Sequence, residues 1–187
     1  MRYSGGIGLG LPQAIRWTGP SGLIGLGYLS GNNKSNAVDV SAGGSVIVGT
    51  SCSNCCNSQA FRWTGAGGIA GLGAASGYPV SFATGVNADG SVVVGVSYTA
   101  IPGLAQPFRW TAGGGMVGLG HLPGGNNSFA NAVNADGSVV VGGSTSASNV
   151  QNYEAVRWTK NSGMVGWGIY PATTSATPMP LTPMVQS

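Results

Sequence analysis

The sequence predicts an all-β protein of tandem four-stranded antiparallel units, arranged as β-propeller-like blades. Three observations carry that expectation. The tripeptide Arg-Trp-Thr occurs four times, centred on Trp17, Trp63, Trp110 and Trp158, at steps of 46, 47 and 48 residues. The landmarks inside the unit keep fixed offsets. A Gly-X-Gly centre follows each tryptophan by 9 residues (Leu26, Leu72, Leu119, and Trp167 in the last copy), and a valine run opens 20 residues after each leucine, at Val46, Val92 and Val139. Turn residues separate these landmarks, and a period of about 40–50 residues holding four short strands is that of a propeller blade. A β-solenoid with two rungs per repeat is the alternative; turn chemistry every 8–12 residues or so favours meandering hairpins.

Each element has its own reason. Strand A is a run of small residues, Ala83 to Val86 and Ala130 to Val133, suited to a crowded place near a central axis. Ala-Asp-Gly-Ser follows it at Ala88 to Ser91 and Ala135 to Ser138, with Ala42-Gly43-Gly44-Ser45 in the first unit. Asp-Gly between apolar runs signals a tight hairpin, because Gly tolerates positive φ and Asp can bond within its own turn. Strand B is the valine run, apolar on both faces, as a strand covered on both sides must be. Strand C, Ala60 to Thr64, carries aromatics two apart. Gly65 to Gly68 then turns into strand D, Ile69 to Leu72. The interval from valine to the next tryptophan is 17, 18 and 19 residues, so all length variation falls between B and C.

These marks divide the chain. Residues 1–12 form an N-terminal segment with at most a partial strand; 13–27 hold strands C and D of a half unit; full units run at about 35–73, 81–120 and 128–168. Residues 169–187 are a proline-rich tail, with Pro178, Pro180 and Pro183 unable to donate to a ladder. A closed ring takes about 4–8 blades. Three and a half units therefore predict a minimal ring, a homodimer that completes a ring, or a piece of a longer chain.

Composition narrows the function classes. Charged residues make up 6% of the 187, and glycine counts 35, against about 25% and about 7% in ordinary domains. A surface of Ser, Thr, Asn and Gly fits a secreted or cell-surface protein. Net charge is +3, and four of the five arginines are repeat positions (Arg16, Arg62, Arg109, Arg157), so no basic face is gathered for nucleic acid. The reading for this set is structural: tryptophan packed in the core, arginine paired or hydrogen-bonded between blades. Met1 to Gly10 lacks the apolar centre of a signal peptide. Secretion thus predicts a leader outside this chain. No run reaches the roughly 18 apolar residues of a membrane span.

Candidate chemistry is sparse. Cys52, Cys55 and Cys56 are the only cysteines, and His121, the only histidine, lies two units' loops away, which disfavours a closed four-ligand zinc site. A loop disulfide, Cys52 with Cys55 or Cys56, is the expectation outside the cell. Asp89 and Asp136 repeat, but Gly43 replaces them in the first unit, which favours a turn role over a calcium site. The remaining acids are Asp39 and Glu154, and no pair converges for glycoside chemistry. No metal, cofactor or catalytic residue is predicted. In a four-strand meander the B-to-C and D-to-A loops share one face. That face holds Tyr28, Asn32, Asn33, Tyr98, His121, Asn126, Asn127 and Tyr153, the candidate binding residues, since loops on a rigid scaffold carry binding.

The wording of the repeat carries a resemblance. Phe108-Arg109-Trp110-Thr111, Gly114 to Gly120, Leu122-Pro123-Gly124-Gly125 and Ala132 to Gly142 resemble the bacterial extracellular repeats of the HAF type, over about residues 13–168. The resemblance implies secreted or surface-exposed proteins, some similar to autotransporter passengers, and no catalytic motif. Gly43-Gly44 and Trp167 depart from its pattern. The expectation is a non-enzymatic repeat domain at or outside the cell surface, presenting loops for adhesion or for a protein or glycan partner. A lyase or glycosidase on a propeller scaffold and a structural spacer of a larger surface protein are the alternatives.

Overall fold

The structure is a computed structural model and describes residues 12–53, 57–99, 104–147 and 149–168. Its strands are β1 (Ile15–Thr18), β2 (Gly22–Gly25), β3 (Lys34–Val40), β4 (Val46–Cys52), β5 (Ser58–Thr64), β6 (Gly68–Gly71) and β7 (Val80–Val86). They continue with β8 (Val92–Tyr98), β9 (Ala105–Thr111), β10 (Gly115–Gly118), β11 (Ser128–Val133), β12 (Val139–Ser146), β13 (Asn149–Thr159) and β14 (Gly163–Gly166). Consecutive strands pair antiparallel into the sheets β1-β2, β3 to β6, β7 to β10 and β11 to β14. Each four-stranded sheet is one blade, in the order A, B, C, D, and the half unit supplies C and D.

Successive residues of a strand point to opposite faces, and strand B uses both. Val46, Val48 and Leu72 of the first full blade pack with Ala83, Val93 and Phe108 of the second. Val92, Val94 and Leu119 of the second meet Ala130 and Val140 of the third. Ala14 and Leu26 of the half unit meet Ile47 and Phe61. One unit's outgoing face thus covers the next unit's incoming face at every junction. Strand A of the second and third full blades lies against strands B and C of the blade before it, and neighbouring A strands lie against one another. Strand A is therefore the inner edge, where small side chains let the blades converge.

Every full blade breaks its A–B register at one residue, between Ala37 and Asp39, Ala83 and Gly85, and Ala130 and Ala132. The extra residue (Val38, Thr84 or Asn131) makes a β-bulge, which adds local twist. In the second blade the bulge also ties forward, the Thr84 hydroxyl donating to Ala130 O at 2.9 Å. The Val-Val-Val-Gly wording has a packing cause: a Cβ on Gly95 would meet Phe82 O and the Phe108 ring.

The A–B turn differs from the tight Asp-Gly hairpin read from the sequence. Asn87 to Ser91 separate the strands, Gly90 N donates to Asn87 O at 3.1 Å, and Gly90 takes φ 77°. A two-residue type I′ loop needs positive φ at both central residues. No described non-glycine residue adopts it, so the turn is a longer one with a left-handed glycine at its end. Asn87 seals it, its Oδ1 accepting Val92 N at 2.9 Å and its own N–H donating to Val92 O at 3.0 Å. Asn134 repeats this on Val139, and the Ser41 hydroxyl accepts from Val46 N in the first blade.

Gly95→Ala should cost about 1–3 kcal/mol through overpacking, read as a lowered urea midpoint at unchanged m. Gly43→Ala, with nothing within 4 Å of its added Cβ, should move stability by no more than about 0.5 kcal/mol.

Candidate functional site

The long-loop face divides into latched and presented side chains. Asn32 is latched: its N–H bonds Leu29 O at 2.9 Å and its amide nitrogen reaches Ser51 Oγ at 3.2 Å. The Asn127 Oδ1 accepts Ala105 N at 2.8 Å, fastening the third blade to the second. The N–H groups of Asn126 and Asn127 both point at Thr145 Oγ1, at 3.2 Å each. Asn33 stays exposed, and the exposed Asn126 side chain accepts the Thr145 hydroxyl at 3.5 Å. Tyr98 and Tyr153 are presented, each with its ring edge-on to a phenylalanine: Tyr98 on Phe82 at 5.7 Å, Tyr153 on Phe129 at 4.9 Å. Phe82 and Phe129 occupy matching places on strand A, yet Tyr98 comes from strand B and Tyr153 from strand C. Tyr28 is half-buried.

His121 sits 2.6 Å from Ser128 Oγ, a pairing that invites a catalytic reading. The repeat argues otherwise. Ser35, Ser81 and Ser128 are equivalent buried serines, and each donates its hydroxyl proton to a glycine carbonyl: Gly27 O, Gly73 O and Gly120 O. In the first two cases the hydroxyl oxygen also accepts a backbone N–H, from Ala14 at 2.9 Å and from Ala60 at 3.0 Å. The third equivalent is Pro107, fully buried and without an N–H. His121 replaces the missing donor. A serine has one proton to give, and Ser128 spends it on Gly120, so the histidine carries hydrogen on Nδ1. Burial holds the imidazole pKa below its ordinary 6.5. This is a structural hydrogen bond, and the hydroxyl is not a freed nucleophile.

The acids are likewise committed. Asp89 Oδ1 accepts Ser91 N at 2.8 Å, and Asp136 Oδ1 accepts Ser138 N at 2.8 Å. The hydroxyl and N–H of those serines hold both exposed carboxyls below their ordinary 3.8. Asp39 reaches across a junction, accepting Val86 N at 2.8 Å with one oxygen and Val40 N at 2.8 Å with the other. Glu154 pairs with Ser144 on β12, at the opposite end of the third blade from the Asp136 turn. Among the described residues no three His, Cys, Asp or Glu side chains gather as a metal site. Cys52 ends β4, half-buried; Cys55 and Cys56 lie outside the described residues, as do the partial strand at 1–11 and the tail.

The opposite face holds a feature that sequence reasoning did not single out. A groove of about 540 Å³ is lined by Arg62, Asp89, Arg109, Trp110 and Asp136. A groove of about 610 Å³ repeats it one unit on, with Arg109, Asp136, Arg157 and Trp158. The arginines staple blades together: Arg62 Nε donates to Gly90 O at 3.1 Å, and Arg109 Nε and Nη2 both donate to Gly137 O at 3.2 Å. Arg16 instead lies over the Trp63 ring at 5.6 Å. The signal for this was present, since the Arg-Trp-Thr and Asp-Gly-Ser spacings repeat together. A third groove, about 390 Å³, runs beside the half unit between β1 and β3.

No protein-family model matches the chain, and no characterised protein matches it by sequence. Solved structures match its fold. TolB from Acinetobacter baumannii is 18% identical with a TM-score of 0.53, over 79% of this chain and 35% of that one. A TolB-type protein from Agrobacterium tumefaciens is 14% identical with a TM-score of 0.54, over 84% of this chain and 62% of that one. Both are β-propellers, and identities this low carry the fold alone. The chain thus spans about a third of one and under two thirds of the other.

His121→Ala should cost about 1 kcal/mol, the worth of one buried hydrogen bond. In a Pro107→Ala background the cost should shrink, because that substitution restores the backbone donor; a double-mutant cycle by urea unfolding reads the coupling. The histidine also sets a pH dependence. With its folded pKa depressed, the unfolded chain takes the proton first, so this stability is present above 6.5 and is lost as pH falls through the folded value. Thermal melts between pH 7 and 5 should slope less in His121→Ala than in the parent.

Proposed function

We propose that this chain is a non-enzymatic binding scaffold of propeller type, working at or outside the cell surface, whose long-loop face takes a protein or glycan partner. The observation that carries the reading is the contrast among polar side chains. His121, Ser128 and the carboxylates of Asp39, Asp89 and Asp136 are engaged in holding the fold. Tyr98 and Tyr153 stand exposed on aromatic supports. A tyrosine held edge-on by a phenylalanine loses little rotamer freedom on binding, and such aromatic groups anchor interfaces and sugar faces alike. The low charge and the HAF-like wording support an extracellular setting.

A glycan array and a panel of immobilised cell-surface proteins, probed with the whole chain, test the proposal. Tyr98→Ala with Tyr153→Ala should weaken whatever binding is found at least about tenfold, equivalent to about 1.4 kcal/mol, in a chain whose circular dichroism still shows the folded state. Ser91→Ala, on the opposite face, should leave that binding alone. Binding that survives the tyrosine pair and is lost with the groove residues would move the contact surface to the short-turn face.

A further inference from the structure

The internal junctions define what the two ends of the arc lack. At the two junctions between full blades the outgoing valines of strand B and the leucine after strand D cover an aromatic or aliphatic set on the next unit, and at the first junction Ala14 and Leu26 do so. The third blade has the same outgoing face, uncovered among the described residues: Val139 and Val141 are half-exposed where Val92 and Val94 are buried, and Trp167, in the leucine's place, is 65% exposed. The half unit carries the strand C and D part of the incoming face, uncovered among the described residues. Ile15, Trp17 and Leu23 stand where Phe61, Trp63 and Ile69 stand in the first full blade, and Trp17 is 69% exposed. Among the described residues the strands of the two ends do not pack on one another.

We propose that these faces cover each other between molecules: the outgoing face of one copy's third blade docks on the incoming face of a second copy's half unit. The occupant is a second copy because Ile15, Trp17 and Leu23 recur at the strand C and D positions that the outgoing residues of the preceding unit meet inside the chain. The contact is heterologous, head to tail. Two copies joined at both ends close a ring, and a contact that fails to close would extend as a filament.

The test is solution mass by light scattering on the whole chain, with Trp17→Asp and Trp167→Asp. Both tryptophans are mostly exposed, so each variant should keep the parent's circular dichroism and melting behaviour. The parent should run at twice 18.5 kDa or more, and each variant alone at 18.5 kDa. Mixing the two variants should restore a heterodimer, because one intact junction remains between Trp17 of the Trp167→Asp chain and Trp167 of the Trp17→Asp chain. Only a head-to-tail contact rescues in this way. A parent that stays monomeric, or a dimer that either variant leaves intact, overturns the proposal. So does a mixture that fails to reassociate.

Discussion

Strand B governs this molecule because it is apolar on both faces. A sheet with one buried face can stand against water on the other, but Val46-Ile47-Val48 and Val92-Val93-Val94 have no solvent side. Each blade is therefore incomplete alone and is finished by the blade before it and the blade after it. Stability then behaves as a sum of unit terms and junction terms, as in other repeat proteins. The small residues of strand A, the recurrent bulge and the forward-reaching arginines all serve that stacking.

Stacking also explains how a chain with so few charges stays ordered. The polar groups inside the junctions are mainly serines and asparagines, and no buried side-chain nitrogen or oxygen lacks a partner among the described residues. Ser51, Ser81, Ser97, Ser128 and Ser144 are fully buried. A hydroxyl can give one hydrogen bond and accept others, so it ties loop to strand without the desolvation cost of a charge.

Much of this was legible in the sequence, for identifiable reasons. The strand order and the two-sided burial of strand B follow from fixed offsets and from an uninterrupted valine run. What escaped was set by the third dimension or by an exception. The Asp-Gly dipeptide announced a turn but not its length, because the closing acceptor, Asn87, lies three residues before Gly90 and bonds across to Val92. The forward bond of Asp39 to Val86 joins residues 47 apart, and no local pattern signals it. His121 looked like an isolated loop residue. Its role became visible only when Pro107 was seen to break the series Ala14, Ala60.

That exchange bears on how such an array can change over evolutionary time. Tandem repeats are prone to recombination, which swaps, duplicates or deletes whole units. Here proline and histidine belong to one unit, but the serine that needs them belongs to the next. A crossover falling between Pro107 and His121 would leave one hydroxyl short of a donor, or supply a donor where Ala60 already gives one. The repeats look interchangeable in sequence, yet the units of heredity and the units of hydrogen bonding are out of phase. Rearrangements whose breakpoints fall in the B-to-C loops, where length already varies, keep the proline, the histidine and the serine together and are the ones this architecture tolerates.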